Sequence, residues 1–440
     1  MGDISDIKGG KRLPKGHNLI DTPGNHPYIK VKDMSNDKLL KLTEDFEYIE
    51  NETFNQISQY VVKKSDLIIS IVGTIGLTNI IDYSLDNANL TENCAKITNL
   101  KDGYNIEFIY YYLNSNVGQN LIQEATVGAV QKKLSIKNIR SLKIPFPNTD
   151  IQNKIVRILS TIDKKIEINK RINKNLQTLS KLLLKYHLED FKPYLDNGVK
   201  SSEIGDIPLD WSIYDFDSIS NIYNGYSYKS NELQPSNSAM VTIKNFNRDG
   251  SFRTDGFKEI IYSDKVKEHH FVNENDVLLS CTDVTQDADI IGNCILLLDK
   301  QNYDNIIMSM DLVKIESKKS EINNFLIAAI LKSYRFKMHI LGYVNGTTVL
   351  HLDKKGIKKF KLALPPDLSI LKDLNDILKN IYKQIGFNQK EIKNLQNLRD
   401  TLLPKLMSGE IDVSKINCDL LKFLGICIDF YFDLKNIQNL

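Results

Sequence analysis

The chain has 440 residues, a quarter of them charged, and a formal net charge of +2. This length allows two to four domains, and the charge balance excludes a uniformly basic protein while it permits a local basic patch. The five cysteines are dispersed and form no CxxC motif, so neither a zinc site nor a disulfide framework is indicated. No apolar run reaches the roughly 20 residues of a membrane span, so we expect a cytoplasmic protein that does not bind a membrane.

The first 149 residues are predicted to form a mixed α/β domain. Apolar and polar residues alternate over 28–35, as in a half-buried strand, and VVKKSDLIISI (61–71) predicts a turn followed by a buried strand. The later predicted elements are the turn GTIG at 73–76, a strand at 93–98, helices at 106–114 and 117–123, and a closing loop and strand that end at Pro145 and Pro147.

A long helix is predicted next. Residues 151–189 contain neither Pro nor Gly, and their seam positions recur at alternating spacings of four and three, as in a coiled coil. We assign 150–190 to this central helix. Its seam residues are Ile155, Leu159, Ile162, Ile166, Asn169, Asn173 and Leu176.

The second half of the chain repeats the first. SISNIYNG (218–225) matches DISDIKGG (3–10), and VNGTTVLHLDKKGIKKFKLALP (344–365) matches TVGAVQKKLSIKNIRSLKIPFP (126–147). We therefore assign 191–366 to a second domain, 367–413 to a C-terminal helix and 414–440 to an atypical tail. A second seam repeats the spacings of the first, at Leu374, Leu378, Ile381, Ile385, Asn388, Ile392 and Leu395. Two unrelated amphipathic helices are the alternative interpretation, which the repeated flanking sequences disfavour.

Two segments interrupt the repeat. The leader IGDIPLDW (204–211) has no counterpart in the first half, and the tail after Val413 matches nothing there. The tail is predicted to cover a helix end as an extra helix or strand, or alternatively to dock a partner.

The expected fold is α+β, with two similar mixed α/β domains and two long antiparallel coiled-coil helices in a pseudo-two-fold arrangement. A helix of about 38 residues is roughly 57 Å long, which spans about 17 base pairs of duplex DNA, and a two-fold object matches the DNA dyad. Asn169 aligns with Asn388, and a buried Asn at a seam position would fix the register of the helices. A solvent-facing Asn is the alternative.

The sequence contains no recognisable catalytic motif. It lacks the phosphate loop GxxxxGK(S/T), the motifs GxSxG, HExxH and GxGxxG, and the Asp/Asn-Pro-Pro-Tyr/Phe stretch that places an adenine amino group for methyl transfer. We therefore expect no catalytic residue and no metal site, which indicates a binding protein.

Loops rich in cations, amides and aromatic side chains supply the candidates for DNA contact. Arg and Lys suit guanine edges or phosphates, and Asn and Gln suit adenine. For each one alone, a solvated surface side chain is the alternative. The candidates are Lys8, Lys11, Arg12, Lys15, Gln131, Lys132 and Lys133 in the first half, and Tyr226, Tyr228, Lys229, Asn245, Arg248, Arg253, Asn345 and Thr347 in the second.

Together these patterns resemble the specificity subunit of a type I restriction–modification system over residues 1–413. GDISDIKGGKRLPKG (2–16) resembles the opening of a target-recognition domain, and DLIISIVGTIG (66–76) resembles a motif within it. LRDTLLPKLMSGEIDV (398–413) resembles the end of the family's C-terminal helix. The second domain departs from the pattern at SCTDVTQDADIIG (280–292), which keeps only Gly292 of the GTIG turn.

The resemblance implies that each domain reads one half of a split DNA site and that the helices set the spacer. It implies double-stranded DNA, two modification (methyltransferase) subunits and two restriction (ATP-dependent translocase and nuclease) subunits as partners. It also implies that this chain is not an enzyme and binds no cofactor, with S-adenosylmethionine, ATP and Mg²⁺ on the partner subunits.

Three alternatives stay open at this point. The chain could be a non-catalytic coiled-coil scaffold that binds proteins, or an inactive rearranged specificity subunit. A fragment of a fused restriction enzyme is the third, which the missing catalytic motifs disfavour.

Overall fold

The computed structural model of the chain describes residues 1–35, 37–128, 132–284, 287–414 and 416. The described chain divides into two compact units, one formed by 1–167 with the described residues from 393 onward and the other by the described residues of 168–392. Both divisions fall inside the two long helices, which are Thr149–Leu184 (α5) and Lys372–Ser408 (α9).

The remaining elements of the first unit all precede α5. The strands are Asp6–Gly9 (β1), His26–Ile29 (β2), Leu39–Leu40 (β3), Tyr48–Ile49 (β4), Leu67–Ser70 (β5), Thr78–Ile81 (β6), Asn89–Leu90 (β7) and Cys94–Thr98 (β8), and the helices are Asn51–Ile57 (α1), Ile106–Asn114 (α2), Asn116–Glu124 (α3) and Ile136–Ser141 (α4). One sheet has the order β1-β8-β5-β6-β3, and a smaller one has the order β4-β2-β7. Every residue of β5 is buried, because β5 lies at the centre of its sheet.

The remaining elements of the second unit lie between α5 and α9. The strands are Val199–Lys200 (β9), Ile207–Pro208 (β10), Ser212–Asp215 (β11), Ser220–Asn224 (β12), Ser238–Val241 (β13), Lys258–Glu259 (β14), Val277–Ser280 (β15), Thr282–Asp283 (β16), Cys294–Leu296 (β17), Asn305–Met308 (β18), Leu312–Ser317 (β19), Val344–Asn345 (β20), Leu350–Leu352 (β21) and Lys361–Leu364 (β22). The helices are Asn324–Leu331 (α6), Tyr334–Leu341 (α7) and Lys355–Lys358 (α8).

The sheets of the second unit repeat the strand order of the first. Its main sheet has the order β12-β19-β15-β17, and a smaller one has the order β14-β13-β18. These orders match β1-β8-β5-β6 and β4-β2-β7 strand for strand. In both small sheets the middle strand pairs in parallel with the last strand of the order, β2 with β7 and β13 with β18. The structure therefore confirms the internal duplication predicted from the sequence, since both units have the same strand order in their sheets.

The helices that pack beside these sheets begin at equivalent caps. The side chain of Asn105 accepts hydrogen bonds from the amides of Glu107 and Phe108 in the first turn of α2, and that of Asn323 accepts one from the amide of Leu326 in the first turn of α6. Ser115 and Ser333 cap α3 and α7 in the same way. Both pairs have the same separation along the chain, so the helix starts are encoded by repeated polar residues whose side-chain oxygens satisfy otherwise unpaired amides.

Segments of α5 and α9 run antiparallel within each unit. In the second unit, Asn388 Nδ2 donates to Asn173 Oδ1 at 2.8 Å, and Ser180 Oγ donates to Tyr382 Oη at 3.1 Å. In the first unit, Arg399 Nη1 lies 3.1 Å from Asp163 Oδ1, and Lys154 Nζ donates to Ser414 O, just beyond the end of α9, at 2.8 Å. The α9 partner number falls as the α5 number rises. The predicted fold class is thus confirmed, with two mixed α/β domains and two long antiparallel helices.

Most seam residues are buried. In α5 the buried ones are Ile155, Leu159, Ile162, Ile166, Asn169 and Asn173, and in α9 they are Leu374, Leu378, Ile381, Ile385 and Asn388. Leu176, Ile392 and Leu395 are half-buried. Burial of Asn169 and Asn388 excludes the solvent-facing alternative. Asn388 pairs with Asn173, whereas Asn169 donates to Glu391 Oε2 at 2.6 Å.

Two predicted strands differ from the structure. The 28–35 strand ends at Ile29, because the carboxylate of Asp33 accepts the Lys30 amide at 2.7 Å and turns the chain into a short 3₁₀ helix. The strand expected before Pro145 is absent among the described residues of the first domain, although its counterpart β22 exists. β22 pairs with β11, and the sequence holds no first-half segment that matches β11.

Candidate nucleic-acid interface

One end of the main sheet in the first unit gathers four loops. Gly10 N donates to Cys94 O, and Lys11 N donates to Leu90 O, which joins the loop after β1 to the segment before β8. Ile71 N donates to Asn93 O, and Leu134 N donates to Ile71 O, which adds the loop after β5 and the loop before α4. We call these segments, 9–12, 71–77, 90–94 and 132–134, the first loop cluster.

The second unit builds an equivalent arrangement with the same four backbone contacts. Gly225 N donates to Leu312 O and Tyr226 N to Met308 O. Cys281 N donates to Asp311 O, and Leu352 N donates to Cys281 O. We call the corresponding segments, 224–229, 281–284 with 287–293, 308–312 and 344–352, the second loop cluster.

A glycine at the start of each cluster permits the close approach of two backbones. A Cβ on Gly10 would overlap the carbonyl oxygens of Thr91 and Leu90, and a Cβ on Gly225 would overlap that of Ser309. The sequence keeps glycine at this position in both halves because only glycine fits there. The frame of both clusters is thus backbone, which leaves their outward side chains free to differ.

The described first-half candidates are exposed. Lys8, Lys11, Arg12, Lys15, Lys132 and Lys133 all present their side chains to solvent. Arg12 Nε lies 2.6 Å from Glu92 Oε1, and this hydrogen bond raises the pKa of Arg12 above its ordinary value. Lys8 lies 3.4 Å from Asp6. Gln131 lies outside the described residues.

Two second-half candidates are buried and cannot reach a DNA base with their side chains. Asn245 is fully buried, accepts the Thr242 amide at 2.9 Å and donates to Arg253 O at 2.9 Å. Tyr226 is 4% exposed, and its hydroxyl donates to Glu232 at 2.7 Å. Both side chains hold the loops that carry them, and neither is available for a base contact.

The other second-half candidates remain accessible to different degrees. Lys229, Arg248, Arg253, Asn345 and Thr347 are exposed or partly exposed, and Tyr228 is half-buried. A bidentate contact with Asp255, at 2.5 and 2.8 Å, raises the pKa of Arg253 and lowers that of Asp255. The Arg248 side chain is 75% exposed and lies 3.4 Å from Asp289. It is the more available of the two guanidinium groups.

The sequence reasoning missed two residues that hold the loops in place. Gln119 Nε2 on α3 donates to Gly76 O at 3.1 Å, and Lys337 Nζ on α7 donates to Ile291 O at 2.6 Å. Gln119 and Lys337 have the same separation along the chain as the paired helix caps. Alignment of the two halves of the sequence therefore pairs them and could have indicated an equivalent role.

Two further properties bear on the kind of site. Across the described ranges, no group of three or more His, Cys, Asp or Glu side chains could hold a metal ion. No described helix is long and apolar enough to cross a bilayer. The two clusters present cations, amides and hydroxyls on a hydrogen-bonded backbone frame, and such groups suit contact with phosphates and base edges.

The family model of the type I restriction–modification DNA specificity domain matches residues 1–178 and again 208–397. The chain belongs to this family. The first match contains the first loop cluster and the second match contains the second, so the specificity domain occurs twice in the chain.

The curated relatives of this chain are themselves specificity subunits. The MjaIX specificity subunit of Methanocaldococcus jannaschii is 24% identical over 422 residues, which is 94% of this chain and 93% of the relative. The EcoBI specificity subunit of Escherichia coli is 27% identical over 138 residues, which is 30% of this chain and 28% of the relative.

A solved structure has a similar fold. The crystal structure of the S subunit of the type I restriction–modification system from M. genitalium superposes with a TM-score of 0.54 at 18% identity. The match covers 92% of this chain and 94% of that one.

Proposed function

We propose that this specificity subunit reads a bipartite DNA target with one loop cluster for each half-site. The observation that carries the proposal is the repeated backbone frame, in which the same four hydrogen bonds hold two loop sets of different sequence. A repeated frame with divergent side chains is what two readers of different half-sites require. Cations in the loops would position the phosphates, and amides and guanidinium groups would contact base edges.

In this proposal the paired helices α5 and α9 set the spacer between the half-sites. Two polar contacts of the second unit support the proposal because they favour a single register of the helices: the buried pair of Asn173 with Asn388 and the partly buried pair of Asn169 with Glu391. A fixed register gives a fixed spacer, which a bipartite reader needs.

The chain itself would be non-catalytic and would bind no cofactor. Two modification subunits would bind S-adenosylmethionine and methylate adenine at N6, and two restriction subunits would bind ATP and Mg²⁺ and cleave DNA. The complex would act on the genome and on entering DNA in the cytoplasm. The absence of the adenine-placing motif from the sequence supports this division of labour.

An exposed apolar stripe on α5 and on the π turn Lys185–Glu189 that continues it is the surface we assign to a modification subunit. Ile168, Ile172, Leu179, Leu182 and Tyr186 are 40% to 58% exposed, although they are large and apolar. Their spacings of four, seven, three and four residues place them on one side of the helix, apart from the buried seam. A second helical protein would bury this stripe as a coiled coil does.

The DNA-reading role is tested by band shifts of the chain with its modification subunit on duplexes that carry candidate sites. We expect a sequence-specific shift that weakens steeply with salt. The scaffold alternative predicts no sequence preference at any salt concentration.

The docking surface is tested by the double variant Leu179→Asp and Leu182→Asp. We expect it to lose co-purification with the modification subunit while its circular dichroism is unchanged, because the stripe is not part of the seam. Lys174→Ala and Lys181→Ala, at exposed polar positions on α5, lower the net charge by the same two units and form the matched control. Equal loss in both double variants would mean that charge, and not the apolar stripe, controls binding.

A further inference from the structure

The loop after the central strand is longer in the second domain than in the first, although both close on the same contacts. In the first domain, Gly76 N donates to Ser70 O and Ser70 N donates to Leu77 O. In the second, Gly292 N donates to Ser280 O and Ser280 N donates to Asn293 O. Five residues separate Ser70 from Gly76, whereas eleven separate Ser280 from Gly292.

The base of the longer loop is held by two charged side chains. Asp283 Oδ2 accepts the amides of Ile290 and Ile291, at 2.6 and 3.2 Å. Lys337 Nζ donates to Ala288 O at 3.1 Å, to Ile291 O at 2.6 Å and to Asn293 Oδ1 at 3.0 Å. Burial lowers the pKa of Lys337, and the nearby carboxylates of Asp283 and Asp289 oppose that shift. Where Gln119 makes a single contact to its loop, Lys337 makes three.

A second loop, 246–253, contacts the longer loop. Phe246 and Phe252 pair across it as an antiparallel bridge. Asn293 Nδ2 lies 3.4 Å from Arg248 O, and Arg248 Nε lies 3.4 Å from Asp289 Oδ2. From the end of α6, Lys332 Nζ donates to Gly250 O at 2.6 Å. The two loops are therefore joined to each other and to the helices behind them.

We propose that 246–253 and 287–293 form one composite reading element of the second domain, in which Arg248 contacts a base edge and Lys337 is the positioning residue. This inference rests on the proposed function and goes beyond it. It assigns the second half-site a base contact from Arg248, on a loop that the longer loop 287–293 contacts through Asn293 and Asp289. Guanine is the expected base, because the guanidinium fork matches its O6 and N7 acceptors.

The geometry explains how Lys337 would affect base discrimination although it does not contact DNA. A reader must be held in one place for its hydrogen bonds to discriminate between bases. Removing the three contacts of Lys337 frees the base of the loop that carries Asp289, and Asp289 orients Arg248. The backbone of Arg248 is also released from Asn293.

The test compares methylated-adenine motifs from cells that express the full chain with its modification subunit. We expect Lys337→Met to keep the first half-site intact and to relax at least one guanine position of the second. Lys337→Gln should restore most of the selectivity, because Gln119 shows that an amide at this position can hold the loop. Gln119→Leu is the reciprocal control, and it should relax the first half-site alone.

Arg248→Ala tests the reader itself without disturbing the fold, since its side chain is mostly exposed. It should reduce discrimination at one guanine of the second half-site by roughly 5- to 150-fold. An unchanged motif in Arg248→Ala, or a uniform loss of methylation with an unchanged motif in Lys337→Met, would overturn the inference. A wild-type chain that directs no split motif would instead overturn the proposed function, so the two failures are distinguishable.

Discussion

Asn388 Nδ2 donates a hydrogen bond to Asn173 Oδ1 at 2.8 Å, between the two long helices and almost completely out of solvent. Gln384 Nε2 donates to Asn388 Oδ1, also at 2.8 Å, so the carboxamide of Asn388 is used on both sides. A buried amide pair that breaks an apolar seam costs some stability and favours the one register in which the partners meet.

Asn388→Ala should loosen the helix pair of the second unit. It leaves the buried oxygen of Asn173 without its donor, at a cost of about 1–3 kcal/mol. Hydrogen exchange of the amides in 168–184 and 372–392 should therefore accelerate roughly 5- to 150-fold. Asn175→Ala, at an exposed position on the same helix pair, is the control. Equal exchange in the two variants would show that the Asn pair is not a structural determinant.

Among the polar residues of the helix pair in the first unit, Asp163 should be the one whose substitution lowers the free energy of unfolding most. It accepts the Tyr111 hydroxyl at 2.6 Å and pairs with Arg399 at 3.1 Å, and all three side chains are buried or partly buried. Asp163→Ala should cost about 1.5–3 kcal/mol in the free energy of unfolding, since it leaves the partly buried guanidinium of Arg399 without this partner. Tyr111→Phe removes one hydrogen bond to the same carboxylate but leaves its pairing with Arg399, so it should cost about 1.5 kcal/mol, the lower end of that range.

Chemical denaturation of the full chain measures both effects, with Asp150→Ala at a mostly exposed carboxylate as the control. If Asp163→Ala unfolds at the same denaturant concentration as the control, the interaction of Asp163 with Tyr111 and Arg399 does not contribute to stability.

Lys132 and Lys133 are expected to contact phosphates and not bases. Their replacement by Ala should weaken binding to all duplexes alike and should lower the slope of log K against log salt by about 0.9 for each phosphate that is no longer neutralised. Lys101 is exposed just beyond the opposite end of β8, so Lys101→Ala should leave the slope unchanged. A change in the recognised motif would instead assign the two lysines to base reading.

The helix pair should act as a ruler. Four residues inserted into both α5 and α9 near the Asn layer would lengthen each helix by about 6 Å, or roughly two base pairs of DNA. We expect a longer spacer between unchanged half-sites. The same insertion in the exposed 196–198 loop should leave the spacer as it was. An unchanged spacer in the helix variant would contradict the ruler.

The sequence predicted the long helices well because their signal is local and repeated. An unbroken seam without Pro or Gly places a helix at 151–189, and the structure has one at Thr149–Leu184 that continues as a π turn to Glu189. The helix at Ile106–Asn114 also agrees to the residue, since Asn105 is a strong cap. The polar partners across the helices were not predictable, because alignment of the two halves pairs Asn169 with Asn388 but says nothing about which side chains meet.

The loops were harder to predict, because burial there depends on tertiary contacts. Asn245 resembled a base reader in a cation-rich loop, yet it caps a turn as Asp33 does in the first domain. The two turns follow the equivalent strands β13 and β2, so comparison of the repeats could have indicated a structural role. Tyr226 is buried because Gly225 brings the backbone against Ser309. No local pattern indicates such a close approach.

Exchange of one domain tests whether the two domains read their half-sites independently. Replacing residues 1–149 with the first domain of another specificity subunit should change one half-site and keep the other half-site and the spacer. The methylated motif reports all three at once. Change in both halves would contradict the assignment of one loop cluster to each half-site.

The central claim is tested most directly by a genome-wide map of N6-methyladenine in cells that express a modification subunit with this chain and without it. The account predicts a split motif that is methylated once on each strand and appears only when the chain is present. No new methylation, from a complex that is shown to be assembled, would contradict it and would favour a scaffold or an inactive specificity subunit.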